Sequence, residues 1–64
     1  MNNLKRIRED KQISQSKLAE LSGVNLRIIQ KYEQGDRDIN KAQAETVYKL
    51  AQALDVTVED LIQK

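Results

Sequence analysis

The sequence predicts an all-α fold, a compact bundle of five short helices, and three observations carry that expectation. The 64 residues contain no proline and only two glycines, Gly23 and Gly35, so few positions break a helix. Apolar residues recur three and four positions apart and never run longer than two, which is a helical rather than a strand pattern. Four times the chain also shows a hydrophobic staple, in which an apolar residue just before a Ser, Thr, Asn or Asp cap pairs with one at the fourth helical position.

The staples are Ile13 with Leu18 around Ser14, Val24 with Ile29 around Asn25, Ile39 with Ala44 around Asn40, and Val56 with Leu61 around Thr57. Each marks a helix start, and a first helix capped by Asn2 or Asn3 precedes them. The expected helices cover residues 3–11, 14–21, 25–34, 41–53 and 57–63. Gly23 and Gly35 follow the second and third, where a left-handed residue is best served by a missing side chain. Asn40 with Gln43 and Thr57 with Asp60 read as capping boxes. The expected core is Leu4, Ile7, Ile13, Leu18, Ala19, Leu21, Val24, Ile29, Tyr32, Val47, Leu50, Ala51, Leu54, Val56 and Leu61. No apolar pattern covers residues 35–40, and residues 1–64 are expected to form a single domain, with nothing among them left over for a second.

A chain of this length buries only about 60% of its unfolded surface, so its stability is expected to be modest. Cysteine and histidine are both absent, which removes disulfides, thiolate nucleophiles, the usual zinc ligands and an imidazole base. No nucleophile and base constellation remains, so an enzyme is not expected. No apolar run is long enough to cross a bilayer, and the first fifteen residues are too charged for a signal peptide. The expectation is a soluble cytoplasmic protein with no metal or cofactor. A net charge of +1 hides an asymmetry: residues 1–34 hold seven bases against four acids, and the rest holds four bases against six acids. A basic half hints at a polyanionic partner, although an ordinary charged surface has the same composition.

The second and third predicted helices are joined by about three residues that include Gly23, the arrangement of a helix-turn-helix, in which the second helix can enter a DNA major groove. On a helical wheel of residues 26–34, Ile29 and Tyr32 set the buried side. Arg27, Gln30, Lys31 and Gln34 gather opposite, all long side chains with donors that reach base edges. A solvated surface helix would show the same polar face.

The segment SQSKLAELSGVNLRIIQKYEQG, with LKRIRED before it and VYKLAQALDVTVEDLI after it, resembles the phage repressor and Cro-type (XRE-like) helix-turn-helix family. The resemblance runs from Leu4 to Ile62 and is strongest in SQSKLA, GV, YEQG and LAQALDV. It implies a lambda-repressor-like domain with the helix-turn-helix in helices two and three, and double-stranded DNA as partner. By the same resemblance Leu26, Arg27 and Lys31 stand at base-reading positions, with Arg27 foremost, and the polar side of the wheel adds Gln30 and Gln34 to the expected set. The resemblance also implies that Gln15 touches a phosphate and braces the start of the third helix, and Lys17, Asn25 and Arg37 are expected to complete the phosphate-positioning set. Arg8 and Glu33 are expected to pair between the first and third helices.

Two features depart from the family pattern. Leu26 and Ile28 stand where small or polar residues are usual, so one is expected to extend the core and the other to meet a thymine methyl or a protein partner. Asp36 and Asp38 flank Arg37 in a loop about three residues longer than usual. With few cations to aim at phosphate, a monomer would bind weakly, which argues for a homodimer with recognition helices roughly 34 Å apart. Its expected seam is Val56, Val58, Leu61 and Ile62. The function expected is sequence-specific DNA binding by a transcriptional regulator, a repressor acting as a homodimer on a palindromic operator. The rival is a protein-interaction module or antitoxin-like regulator on the same fold.

Overall fold

A computed structural model describes residues 3–62, with Asn40 by its backbone only. Five α-helices follow one another: α1 (Leu4–Asp10), α2 (Gln15–Ser22), α3 (Leu26–Gln34), α4 (Ala44–Leu54) and α5 (Val58–Leu61), with a 3-10 turn at Ile39–Lys41. The fold is all-helical over the described residues, and none of its helices is long and apolar enough to cross a membrane.

Three of the four stapled starts have the expected caps. The Ser14 hydroxyl accepts from the Lys17 N–H at 3.0 Å, and Asn25 Oδ1 accepts from the Arg27 N–H at 2.8 Å. Thr57 and Asp60 form a reciprocal capping box, with Asp60 N–H donating to Thr57 Oγ1 and Thr57 N–H to Asp60 Oδ2. In each case the stapled pair lies in or against the core. Such caps satisfy N–H groups that the first helical turn leaves without partners.

The fourth start is different. Ile39 is buried to 1% exposure, but residues 39–41 turn in a tight 3-10 coil, and α4 begins only at Ala44, which is exposed. No staple joins Ile39 to Ala44. Gln43, rather than the expected Asn40, occupies the cap position of α4, and its side chain makes no cap bond. The tighter turn lets Ile39 enter the core from the loop, independently of any helix. Ile39 is therefore a core residue where no apolar pattern was expected. The roles expected of Asn2 and of the Asn40 side chain lie outside the described residues. Asn3 does occupy the first cap position, but its amide caps no helical N–H and instead donates to the Asp60 carbonyl at 3.1 Å, tying α1 to α5.

The remaining core is Leu4, Leu18, Ile29, Tyr32, Val47, Leu50, Ala51, Leu54 and Leu61, with Ile7, Ile13, Ala19, Val24 and Val56 packed against it. Leu21 is the exception among the expected core residues, 50% exposed. The inward side of α2 is set by Gln15, Leu18, Ala19 and Ser22, and at about 100° per residue Leu21 turns well away from their mean direction. Helix α2 packs on both α3 and α4, α4 on α5, and α1 on α3. Helix α5 stops at Leu61, short of its expected end, because Ile62 is already extended (φ −79°, ψ 148°).

The left-handed glycines Gly23 (φ 74°) and Gly35 (φ 84°) end α2 and α3. Two other residues share that conformation, Gln12 (φ 59°) in the α1–α2 connection and Asp55 (φ 58°) after α4. A left-handed residue with a side chain costs about 1–2 kcal/mol, while glycine loosens the unfolded chain by about 0.4–1 kcal/mol. Gln12→Gly is therefore expected to raise the unfolding free energy by up to about 1 kcal/mol, read as a higher urea midpoint at unchanged m-value.

Candidate nucleic-acid interface

Helix α3 carries the site. Its inward residues Ile29 and Tyr32 are buried, and its first turn is capped by Asn25 after the left-handed Gly23. This closes the chain reversal between α2 and α3 in three residues, Gly23, Val24 and Asn25. On the outer side Arg27, Lys31 and Gln34 are exposed, and Gln30 is half-buried beside them. Of the two apolar residues that break the polar pattern, Ile28 packs against the core and Leu26 does not. Both are half-buried, and Ile28 also lines the groove beside α3.

What holds this helix at its rotation is a buried polar network. Glu33 accepts from Arg8 Nε at 2.7 Å and from Arg8 Nη2 at 3.0 Å, a two-pronged pair in which the side chains are 11% and 3% exposed. Gln15 Nε2 donates to Glu33 Oε1 at 3.0 Å, and Arg8 Nη1 donates to the Ile13 carbonyl at 2.7 Å. Helix α1 and the first turn of α2 meet on one carboxylate of α3, and the loop between them is tied to the same guanidinium. The planar guanidinium suits a carboxylate held edge to edge. Its bond to Glu33 raises the Arg8 pKa, outweighing the opposing effect of burial, and the charges of Glu33 and Glu9 raise it further. No buried side-chain nitrogen or oxygen among the described residues is left without a partner.

Beside α3 lies a groove of about 550 Å³ lined by Gly23 and Asn25 of the turn, by Arg37, and by Lys41, Gln43 and Lys49. Expected within one continuous helix 41–53, Lys41 and Lys49 offer no signal, and the 3-10 turn and the late start of α4 bring them to the same concavity as Arg37. Asp38 also lines it, whereas Asp36 does not. The backbone N–H of Asp36 donates to the Lys31 carbonyl at 2.9 Å, part of the C-terminal closure of α3.

Lys17 lies 3.7 Å from Glu20 and Lys49 lies 3.0 Å from Glu45, both pairs on exposed side chains. In the expected seam Val56, Val58 and Ile62 are half-buried. Leu61 does not belong with them: it is 0% exposed, part of the monomer's core, and no partner surface can reach it.

The helix-turn-helix family model matches residues 4–61. No curated protein gives a match to the chain.

Removing one partner of a buried ion pair leaves the other charge unsatisfied and costs about 3–5 kcal/mol. Total stability for a domain of this size is only about 3–10 kcal/mol at the usual 0.05–0.15 kcal/mol per residue. Glu33→Ala is thus expected to remove most of the folding free energy in urea titration. Lys49→Ala, at an exposed pair, should change it by under about 0.5 kcal/mol.

Proposed function

Since the chain belongs to the helix-turn-helix family of DNA-binding transcription regulators, we propose that it reads a specific duplex sequence and acts as a repressor, as a homodimer on a palindromic operator in the cytoplasm. The observation that carries this reading is the outer flank of α3, where Arg27, Lys31 and Gln34 stand exposed on a helix whose rotation is locked by Glu33. Arg27 is the leading base reader, since a guanidinium meets guanine O6 and N7 with two bonds, and Gln30 and Gln34 offer amides of the kind that pair with adenine. Leu26, at the start of the helix and not packed on the core, offers apolar contact to a thymine methyl.

Phosphate contacts frame these readers. The Gln15 amide has two N–H groups, and with one donated to Glu33 the second serves a phosphate oxygen. Asn25 uses its Oδ1 on the Arg27 N–H, which leaves its own amide hydrogens for the backbone of the duplex. Lys17, on an exposed and weakly paired side chain, completes that side. Arg37, joined by Lys41 and Lys49 along the groove, serves the phosphates on the other. Base contacts specify and phosphate contacts position, so the two sets respond differently to substitution.

Arg27→Ala is expected to weaken binding to the cognate operator by about 1–3 kcal/mol and leave binding to random duplex nearly unchanged, whereas Gln15→Ala weakens both. Selection of bound duplexes from a random pool, followed by titration of the winner and a scrambled control, measures this. Recovery of no enriched sequence, or equal losses on both DNAs for Arg27→Ala, contradicts the base-reading role. Arg37→Ala should lower the slope of log affinity against log salt by about 1.

A further inference from the structure

A second groove, of about 610 Å³, runs between α1 and α5, away from the helix-turn-helix turn. Its floor is apolar: Ile7, Val56 and Ile62 rest against the core on one side and line the groove on the other. Its walls carry unlike charge. Helix α1 and the residue that follows it contribute Arg6, Asp10 and Lys11, a wall of net positive charge, and α5 contributes Glu59 and Asp60 with no base. Asp60 is engaged in its capping box. Arg6, Asp10, Lys11 and Glu59 are exposed, and none forms an ion pair with another described residue.

We infer that this groove is the surface through which two copies of the chain associate, α1 of one copy lying along α5 of the other. The inference rests on the homodimer reading above and supplies its contact. A two-fold interface uses the same patch on both copies, so the patch must complement itself. A groove with a basic wall and an acidic wall meets that condition: turned by a half-rotation, Arg6 and Lys11 face Glu59 of the second copy, and each pairing occurs twice. The apolar strip of Ile7, Val56 and Ile62 is covered in the same step. A polyanion would meet repulsion from Glu59 and Asp60, and a uniformly basic partner would meet it from Arg6 and Lys11. A standard interface takes about 800 Å² per partner, close to a fifth of the chain's 4397 Å² surface. A single groove supplies less, so the association is weak and weakens further with salt.

Sedimentation equilibrium of the whole chain, free and on its selected operator, tests the assignment. Arg6→Glu and Glu59→Lys, each checked for native helicity, are expected to weaken self-association about tenfold or more when alone, and to recover it when mixed in equal amounts. Recovery follows because the mixed dimer restores one swapped pair and keeps one original pair. Glu59 also sits in the first turn of α5, so Arg6→Glu and Lys11→Glu form a second test that leaves that helix intact, with the double variant weaker than either. If the parent dimerises while these variants and their mixture match it, the groove is overturned and the homodimer stands. If the parent remains monomeric and one chain binds per operator, the homodimer reading fails, and this assignment with it.

Discussion

The carboxylate of Glu33 constrains more of this structure than any other polar group. Arg8 grips it with two nitrogens, Gln15 adds a third bond, and the third guanidinium nitrogen reaches the Ile13 carbonyl. A buried ion pair seldom stabilises a fold more than well-packed apolar residues would, because both charges must leave water. Its consequence is geometric. Three donors converge on one carboxylate at 2.7–3.0 Å, and a helix turns about 100° per residue. Any slip of α3 would break every bond at once and leave charge stranded. The outer flank of Arg27, Lys31 and Gln34 lies on the same rigid helix as Glu33, so the bonds that hold α3 to the body also set the direction in which that flank points.

The same network joins stability to the site. Gln15 lies in the first turn of α2 and braces α3, while Ser14 caps that turn and Ile13 accepts from Arg8. The connection between α1 and α2 is therefore held through its backbone as well as its side chains, with Gln12 in a left-handed conformation that side-chain-bearing residues avoid. In a small domain with little stability to spare, losing one partner of such a network costs a large part of the total. The apolar layer supplies the main favourable contribution, with α4 as its spine: Val47, Leu50, Ala51 and Leu54 meet Leu18 of α2 and Leu61 of α5 in one cluster.

Charge is distributed to match. The net charge of +1 is nearly neutral, yet the exposed cations of α3 and the trio Arg37, Lys41 and Lys49 gather on neighbouring surfaces around the helix-turn-helix turn. Helix α5 carries acids and no base, Glu59 and Asp60, which suit the positive end of that short helix. The basic first half seen in the sequence is thus extended by three cations from the acidic second half, Arg37, Lys41 and Lys49.

The sequence by itself determined the number of helices, three of their capped starts and most of the core, because caps and staples act between residues within about five positions of one another. It also marked the outer flank of α3, since periodicity along one helix is a local property. The Arg8 and Glu33 pair, separated by twenty-five positions, was legible only through resemblance, because no local rule connects residues that far apart. Tertiary structure alone decided three further matters. Ile39 entered the core from a 3-10 turn, Leu21 turned to the surface because α3 and α4 claim the other side of α2, and Lys41 and Lys49 joined Arg37 in one groove. Each depends on where a second element packs, and packing between distant segments follows from the shape of the whole core rather than from the pattern of any one stretch.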